Sequence, residues 1–309
     1  MRIGTASGNI GASSAPIIPP TSVDNNELAA AYAPIIHGRQ SVAGSDDWPQ
    51  TDRPLARLAE IERFADGSAK IDYSVLFANE DGGTATLDLL RNWGRTTDYE
   101  RLYSLRIDPT GHVVAGTELL QSAGHKWVGY QGARAGGHAV LRVSTTNNMV
   151  AAGAGRSALI ADVPLGVRER TPDMPNYDAI DTMNDVLGSW QAMAEEMRRE
   201  GKVLPFPTAP GAGETRMQDP QRYVYVAGVP AAGTILDITS VDGATVSLRL
   251  PARSGIPDGR SMAVTLPGSL LGSDVRDIVV RAHPNDATTL RSATVLSADD
   301  SPRVFDPRD

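Results

Sequence analysis

The densest run of residues able to do chemistry is the nonapeptide WGRTTDYER at positions 93–101. It contains Asp98 and Glu100, two residues apart. In a strand this spacing places both carboxylates on one face, about 6–7 Å apart, with Tyr99 and Tyr103 on the other face. Carboxylates this close can share a cation, or one can raise the pKa of the other so that it acts as a general acid.

Histidines are concentrated in the same part of the chain. Four of the five precede position 140, and these are His37, His112, His125 and His138. Imidazoles bind divalent cations and transfer protons near neutral pH. We therefore predict a hydrolytic site for a glycan or an ester, with these catalytic groups: Asp98, Glu100, His125 and His138. The divalent cation of this hypothesis would have these ligands: His37, Asp98 and Glu100.

A structural explanation of the same residues stands beside the catalytic one. Acidic residues that alternate with aromatic ones are typical of any half-buried strand with one solvated face. In that case Arg95 and Arg101 would simply pair with the two acids. His125 and His138, which both lie beside glycines, would be exposed loop residues.

The second functional hypothesis is a binding protein without catalytic activity. Loops or an edge strand would engage a host protein or a carbohydrate. Trp93, Trp127 and Tyr130 are the candidates for a stacking platform. A third hypothesis, a subunit of a particle or filament, predicts self-association.

Composition excludes several other classes of protein. The 309 residues include no cysteine, so disulfides, thiolate metal sites and a cysteine nucleophile are excluded. The net charge of −8 repels phosphate backbones, and we expect no nucleic-acid partner. No stretch reaches the roughly 20 apolar residues of a transmembrane helix.

The pattern of apolar residues predicts a mainly β fold, with two β-sandwich-like parts joined by one amphipathic helix. Short alternating runs separated by Gly and Pro turns indicate strands on both sides of that helix. The helix is predicted at 178–199, because apolar residues recur there at helical spacing. The predicted division is a leader at 1–26, a first β domain at 27–175 with the candidate site, the helix and a linker at 176–213, a second β-sandwich at 214–298 and a tail at 299–309.

The first 26 residues, MRIGTASGNIGASSAPIIPPTSVDNN, are rich in Ser, Gly, Ala and Pro and have no acidic residue before Asp24. We predict a disordered leader. It resembles the secretion signals of type III effectors from plant-associated bacteria, which also carry an aliphatic residue at position three or four, here Ile3. The resemblance covers this tail alone. It implies a protein secreted into host cells, and residence in the bacterial cytoplasm is the alternative.

Overall fold

The structure, a computed structural model, describes residues 14–38, 54–79, 85–155, 165–170, 189–228, 234–251, 261–281, 290 and 292–306. The fold is mainly β, as the sequence predicts. The chain divides into two compact units. Each unit is made of two separate segments of the sequence. The first unit comprises Met1–Phe77 and Asp98–Met174, and the second comprises Ala78–Thr97 and Pro175–Asp309.

The described residues of the first unit form one α-helix and ten strands. They are α1 (Asn25–Tyr32), β1 (Ile35–His37), β2 (Pro54–Arg63), β3 (Ala69–Phe77), β4 (Asp98–Ile107), β5 (Leu119–Ser122), β6 (Lys126–Gly129), β7 (Arg134–Ala135), β8 (His138–Val143), β9 (Val150–Ala152) and β10 (Leu165–Glu169). Six of them form a sheet in the order β10-β2-β3-β4-β5-β6. Strands β1, β7 and β9 all pair with β8 in a smaller sheet.

One apolar core joins these elements. One face of β3 contributes alternate buried residues, which are Ala69, Ile71, Tyr73, Val75 and Phe77. Helix α1 adds Leu28 and Tyr32, and the small sheet adds Leu141. From the segment assigned to the leader, Ile18 packs against the same core, whereas residues 1–13 lie outside the described part. Burial of this many aliphatic and aromatic side chains is the main source of the unit's stability.

The described residues of the second unit form two α-helices and seven strands. They are α2 (Thr86–Trp93), α3 (Ser189–Arg199), β11 (Tyr223–Ala227), β12 (Ile235–Ser240), β13 (Thr245–Arg249), β14 (Met262–Thr265), β15 (Val275–Arg281), β16 (Ser292–Leu296) and β17 (Pro302–Phe305). The strands form two sheets in the orders β14-β11-β16-β17 and β13-β12-β15. A shared apolar cluster contains residues of both sheets, among them Val224 and Ile238.

Helix α3 confirms the described part of the predicted amphipathic helix. Trp190, Met193, Ala194 and Met197 recur at helical spacing and are buried. They pack against aromatic residues of β11. The predicted first half, residues 178–188, lies outside the described residues.

Candidate functional site

A bulge in β4 decides which way the two candidate carboxylates point. The register with β3 shifts at Leu102, so that Tyr103, Glu100 and Asp98 all lie directly opposite core-facing residues of β3. Directly opposed residues share a face of the sheet. The acids therefore lie on the same face as Tyr103, and the prediction that Tyr103 lies opposite them is wrong, because one extra residue reverses the alternation. Tyr99 does lie on the other face, as predicted.

Glu100 is brought together with one of the predicted histidines. Only 7 % of Glu100 is exposed, which rules out a solvated strand face for this acid. Its Oε2 lies 3.8 Å from Nδ1 of His125, whose side chain is 57 % exposed. His125 stands in the β5–β6 turn with a φ of 57°. This separation is longer than a hydrogen bond, and acid–base pairs are often this loose in the absence of substrate.

Asp98 is held by the loop between β8 and β9. Its Oδ2 accepts a hydrogen bond of 2.9 Å from Nδ2 of Asn148. Asn148 is fully buried and has a φ of 58°, in the left-handed region that Asn tolerates better than most residues. The bond links the start of β4 to this loop, 50 residues away in sequence. We infer that Asp98 fixes this end of the first unit.

Replacement of Asn148 by alanine is expected to lower the free energy of unfolding by about 2–3 kcal/mol, because it removes a hydrogen bond to a charged group and strains the left-handed backbone. Asn148→Gly loses the bond without the strain, so it should cost about 1 kcal/mol less. Urea unfolding of the two variants measures both contributions. An alanine variant as stable as the wild type would show that the bond contributes nothing.

The other two predicted histidines make their described contacts elsewhere. Nδ1 of His138 lies 2.9 Å from the carbonyl oxygen of Ala33. His37 pairs with Arg142 in the parallel β1–β8 ladder. Among the described residues, no group of three or more His, Asp or Glu side chains could hold a metal ion.

The described contacts of the two arginines named as partners of the acids are with other groups. Nη2 of Arg101 lies 3.6 Å from Oε2 of Glu60, on the face away from the core. Nε of Arg95 donates to the carbonyl oxygen of Thr97 at 3.1 Å. Arg101 follows Glu100 in sequence and therefore points to the opposite side of β4.

Sequence reasoning missed a charged network on that opposite face. Glu60 and Asp72 lie directly opposite each other on β2 and β3, and they are 5 % and 3 % exposed. Directly opposed like charges destabilise a sheet unless cations compensate them. Lys70 binds Asp72 at 2.8 Å, and Arg170 lies 3.7 Å from the same carboxylate. The signal available in the sequence was the alternation of charged residues along β2 and β3.

Tyr99 joins this network through Ser74. Its hydroxyl donates to Oγ of Ser74 at 2.8 Å. Burial raises the pKa of Tyr99 to about 12, and the charge of Glu60 adds to the rise. Since the folded pKa exceeds the ordinary value of 10.0, the hydroxyl contributes stability below pH 10 that is lost as the pH rises towards 12.

A Tyr99→Phe variant is therefore expected to lose stability less steeply than the wild type between pH 10 and 12. The difference in free energy of unfolding over this window should reach about 2–3 kcal/mol. Urea unfolding at several alkaline pH values measures it. Parallel losses in the two proteins would contradict the assignment.

Strand β6 is an exposed edge of the six-stranded sheet. All four of its residues are exposed, and Trp127 and Val128 are 38 % and 41 % exposed. The amide of Tyr130 donates to the carbonyl oxygen of Glu118. Hydrogen-bonded and non-hydrogen-bonded pairs alternate in antiparallel ladders, so the backbone groups of Trp127 and Gly129 point away from β5.

Comparison with models of protein families, with curated proteins and with solved structures finds no match for this chain. Within the described ranges, the helices are all too short or too polar to cross a membrane. The evidence for a function therefore comes from the geometry of the chain's own residues.

Proposed function

We propose that this chain is a binding protein that takes an extended segment of a partner polypeptide at the open edge of β6. The observation that carries the proposal is the exposure of Trp127 and Val128 on an edge strand whose outer backbone groups meet no partner among the described residues. Soluble proteins normally protect such edges, because they pair readily with other strands. An edge that presents an aromatic and an aliphatic side chain to solvent suits addition of a strand.

Backbone geometry favours a strand over other ligands. Trp127 and Gly129 each direct one N–H and one C=O outwards, with the spacing of two residues that another antiparallel or parallel strand matches. Side chains of β6 alternate between the two faces of the sheet, so Trp127 and Val128 contact the incoming strand on opposite faces. Together they favour an apolar residue on each face of the partner segment.

The charge of β6 indicates which residues the partner segment contains. Lys126 is the one charged residue of β6, and His125 precedes it in the turn. Both lie at the same end of the strand, next to the exposed apolar pair. An acidic side chain at the matching end of the partner would pair with Lys126. The proposed partner is therefore an extended segment that combines apolar residues with acidic ones.

The test uses the full chain and two synthetic peptides. The probe, acetyl-EETVTVEE-amide, has an alternating apolar centre and acidic ends, and acetyl-KKTVTVKK-amide is its charge-reversed control. We expect saturable binding of the acidic peptide and at least fivefold weaker binding of the basic one, measured by calorimetry at low salt. Equal or absent binding of both peptides would overturn the proposal.

A second copy of the chain is the competing occupant of the edge. Sizing chromatography over a hundredfold range of protein concentration tests it. A monomer at all concentrations supports the proposal. A concentration-dependent dimer that a substitution in β6 abolishes would assign the edge to self-association and overturn the proposal of a different partner.

The pair of Glu100 and His125 favours a second candidate function, hydrolysis of an ester or a glycan. A buried carboxylate lies 3.8 Å from an exposed imidazole, a separation from which a general base and its orienting acid can close to hydrogen-bond distance when substrate binds. The probes are 4-nitrophenyl acetate and 4-nitrophenyl glycosides. If the site is catalytic, Glu100→Gln and His125→Asn should each lower kcat/KM by about 100-fold or more. Turnover that is absent, or equal in the folded variants, removes this candidate.

Export into host cells remains part of the proposed function. Its support is the resemblance of the first 26 residues to type III secretion signals, and the partner polypeptide would then be a host protein. A fusion of residues 1–50 to a calmodulin-dependent cyclase reporter tests it. Accumulation of the reporter product in host cells, lost in a strain without the secretion apparatus, is the expected result. Retention of the reporter in the bacterium would support the alternative that the protein resides in the bacterial cytoplasm.

We also propose a β-sandwich for the strands of the second unit. The support is the apolar cluster to which both sheets contribute, for example through Val226 and Leu236. In such a fold, alternate residues of each strand face the other sheet. The alternating burial of β12 agrees with this arrangement.

A further inference from the structure

An uncharged loop of the second unit follows helix α3. Its sequence, VLPFPTAPGAG at positions 203–213, contains no charged residue, although charged residues make up 21 % of the chain. Residues 205–209 are exposed. Phe206 is 53 % exposed, more than any other Phe, Tyr or Trp that the structure describes. An exposed apolar stretch of this kind is typical of a surface that a partner covers.

The base of the loop is fixed to the core of the second unit. The amide of Leu204 donates to the carbonyl oxygen of Met217 at 2.7 Å, and the amide of Met217 donates to the carbonyl oxygen of Lys202 at 3.0 Å. Met217 is fully buried in the apolar cluster that contains the core face of α3. Nε2 of Gln218 donates to the carbonyl oxygen of Thr208 at 3.2 Å. Docking of this loop therefore costs less conformational entropy than docking of a free chain segment.

A turn within the loop presents Phe206 to solvent. The amide of Thr208 donates to the carbonyl oxygen of Pro205 at 2.8 Å, which makes Phe206 and Pro207 the two central residues of the turn. Pro205, Pro207 and Pro210 have no N–H, and Thr208 already uses its own. The segment therefore offers few backbone donors that would lose hydrogen bonds to water inside an apolar groove.

The spacing of the prolines indicates the kind of groove that fits them. Pro207 and Pro210 lie three positions apart, and a polyproline II helix has three residues per turn. Each proline ring fixes φ at about −65°, close to the value in that helix, and the spacing then places both rings on one face. Grooves lined with aromatic side chains recognise segments with this spacing. Phe206 directly precedes Pro207 and adds an aromatic ring to the contact.

The charges beside the loop favour a protein groove over a lipid surface. Glu214 pairs with Arg216 at 2.7 Å, and Lys202 pairs with Glu200 at 2.7 Å. Attachment to an anionic bilayer is strengthened by cations that are free to meet the lipid headgroups, and the chain has a net charge of −8. We propose that residues 205–210 dock into the aromatic-lined groove of a partner domain that takes proline-rich segments.

The test titrates the full chain with two purified domains of this kind, an SH3 domain and a WW domain, by calorimetry. At least one should bind saturably, and the peptide acetyl-VLPFPTAPGAG-amide should compete with the chain for it. Because the loop is uncharged, Kd should change less than about twofold between about 50 and 500 mM salt. Vesicles of phosphatidylcholine and phosphatidylserine in equal parts probe the lipid alternative. Absent binding of both domains, or binding of the vesicles alone, would overturn the proposal.

Variants locate the binding on the loop. Phe206→Ser should weaken binding of the domain at least tenfold, and Pro210→Ala should weaken it threefold or more. Val241→Ser is the matched control, since Val241 is 63 % exposed in the β12–β13 turn of the same unit, and it should leave binding unchanged. Urea unfolding confirms that each variant folds. Unchanged binding in both loop variants, or an equal loss in the control, would place the domain elsewhere and overturn the proposal.

Discussion

Replacement of Trp127 by lysine is expected to weaken binding of the acidic strand peptide at least 30-fold and to leave the fold intact. Lysine on an edge strand disfavours pairing with another strand, and the substitution also removes the largest apolar contact surface of β6. Because Trp127 is 38 % exposed on an edge, its loss should change the free energy of unfolding by about 0.5 kcal/mol or less. Calorimetric titration and urea unfolding measure the two effects separately.

Val304 provides the matched control for this prediction. It is 57 % exposed on β17, an edge strand of the second unit. Val304→Lys adds the same charge at another exposed apolar edge position, and it should leave peptide binding unchanged. If Val304→Lys abolished binding and Trp127→Lys did not, the peptide would bind the second unit, and the proposed site would be wrong.

Replacement of Arg101 by leucine is expected to cost about 3 kcal/mol of unfolding free energy. Glu60 is 5 % exposed, and Arg101 is the cation that the described contacts place next to its carboxylate. Removal of Arg101 takes away the cation described beside this buried carboxylate, and breaking a buried pair costs more than the pair itself contributes to stability. Urea unfolding at neutral pH measures the loss.

A double variant separates the interaction energy of Glu60 and Arg101 from the other effects of replacing Arg101. Glu60→Leu combined with Arg101→Leu should recover at least half of the loss, because both charges leave together. The exposed pair of Asp88 and Arg91 is the control, and Arg91→Leu should cost about 0.5 kcal/mol or less. Additive losses in the double variant would show that Glu60 and Arg101 do not stabilise each other.

The strands could be predicted from the sequence because their signals are local. Short alternating apolar runs separated by Gly and Pro turns predicted strands on both sides of the amphipathic helix, where the structure has them, but β17 lies within 299–309, which was predicted as a tail. The bulge at Leu102 was not predictable in this way. Its cause is the pairing with β3, and the run of apolar residues after Arg101 reads equally well in either register.

The candidate site was predicted only in part. The sequence named Glu100 and His125, and the structure places them 3.8 Å apart. Their contact depends on the length and turn of the β5–β6 hairpin, in which Gly124 and His125 both have a positive φ. His37 and His138 lie in the smaller sheet. Their positions in the sequence did not reveal that they lie in a different sheet from Glu100. The pairing of Glu60 with Arg101 joins residues 41 positions apart, which a local pattern does not reveal.

Amide hydrogen exchange of β6 with the acidic peptide bound decides whether this edge takes up a strand. We expect exchange at Trp127 and Gly129 to slow at least tenfold, because their N–H groups point away from β5 towards the added strand. Exchange at Lys126 and Val128, whose N–H groups face β5, should change little. Unchanged exchange at Trp127 and Gly129 under saturating peptide would show that the peptide does not add to this edge as a strand.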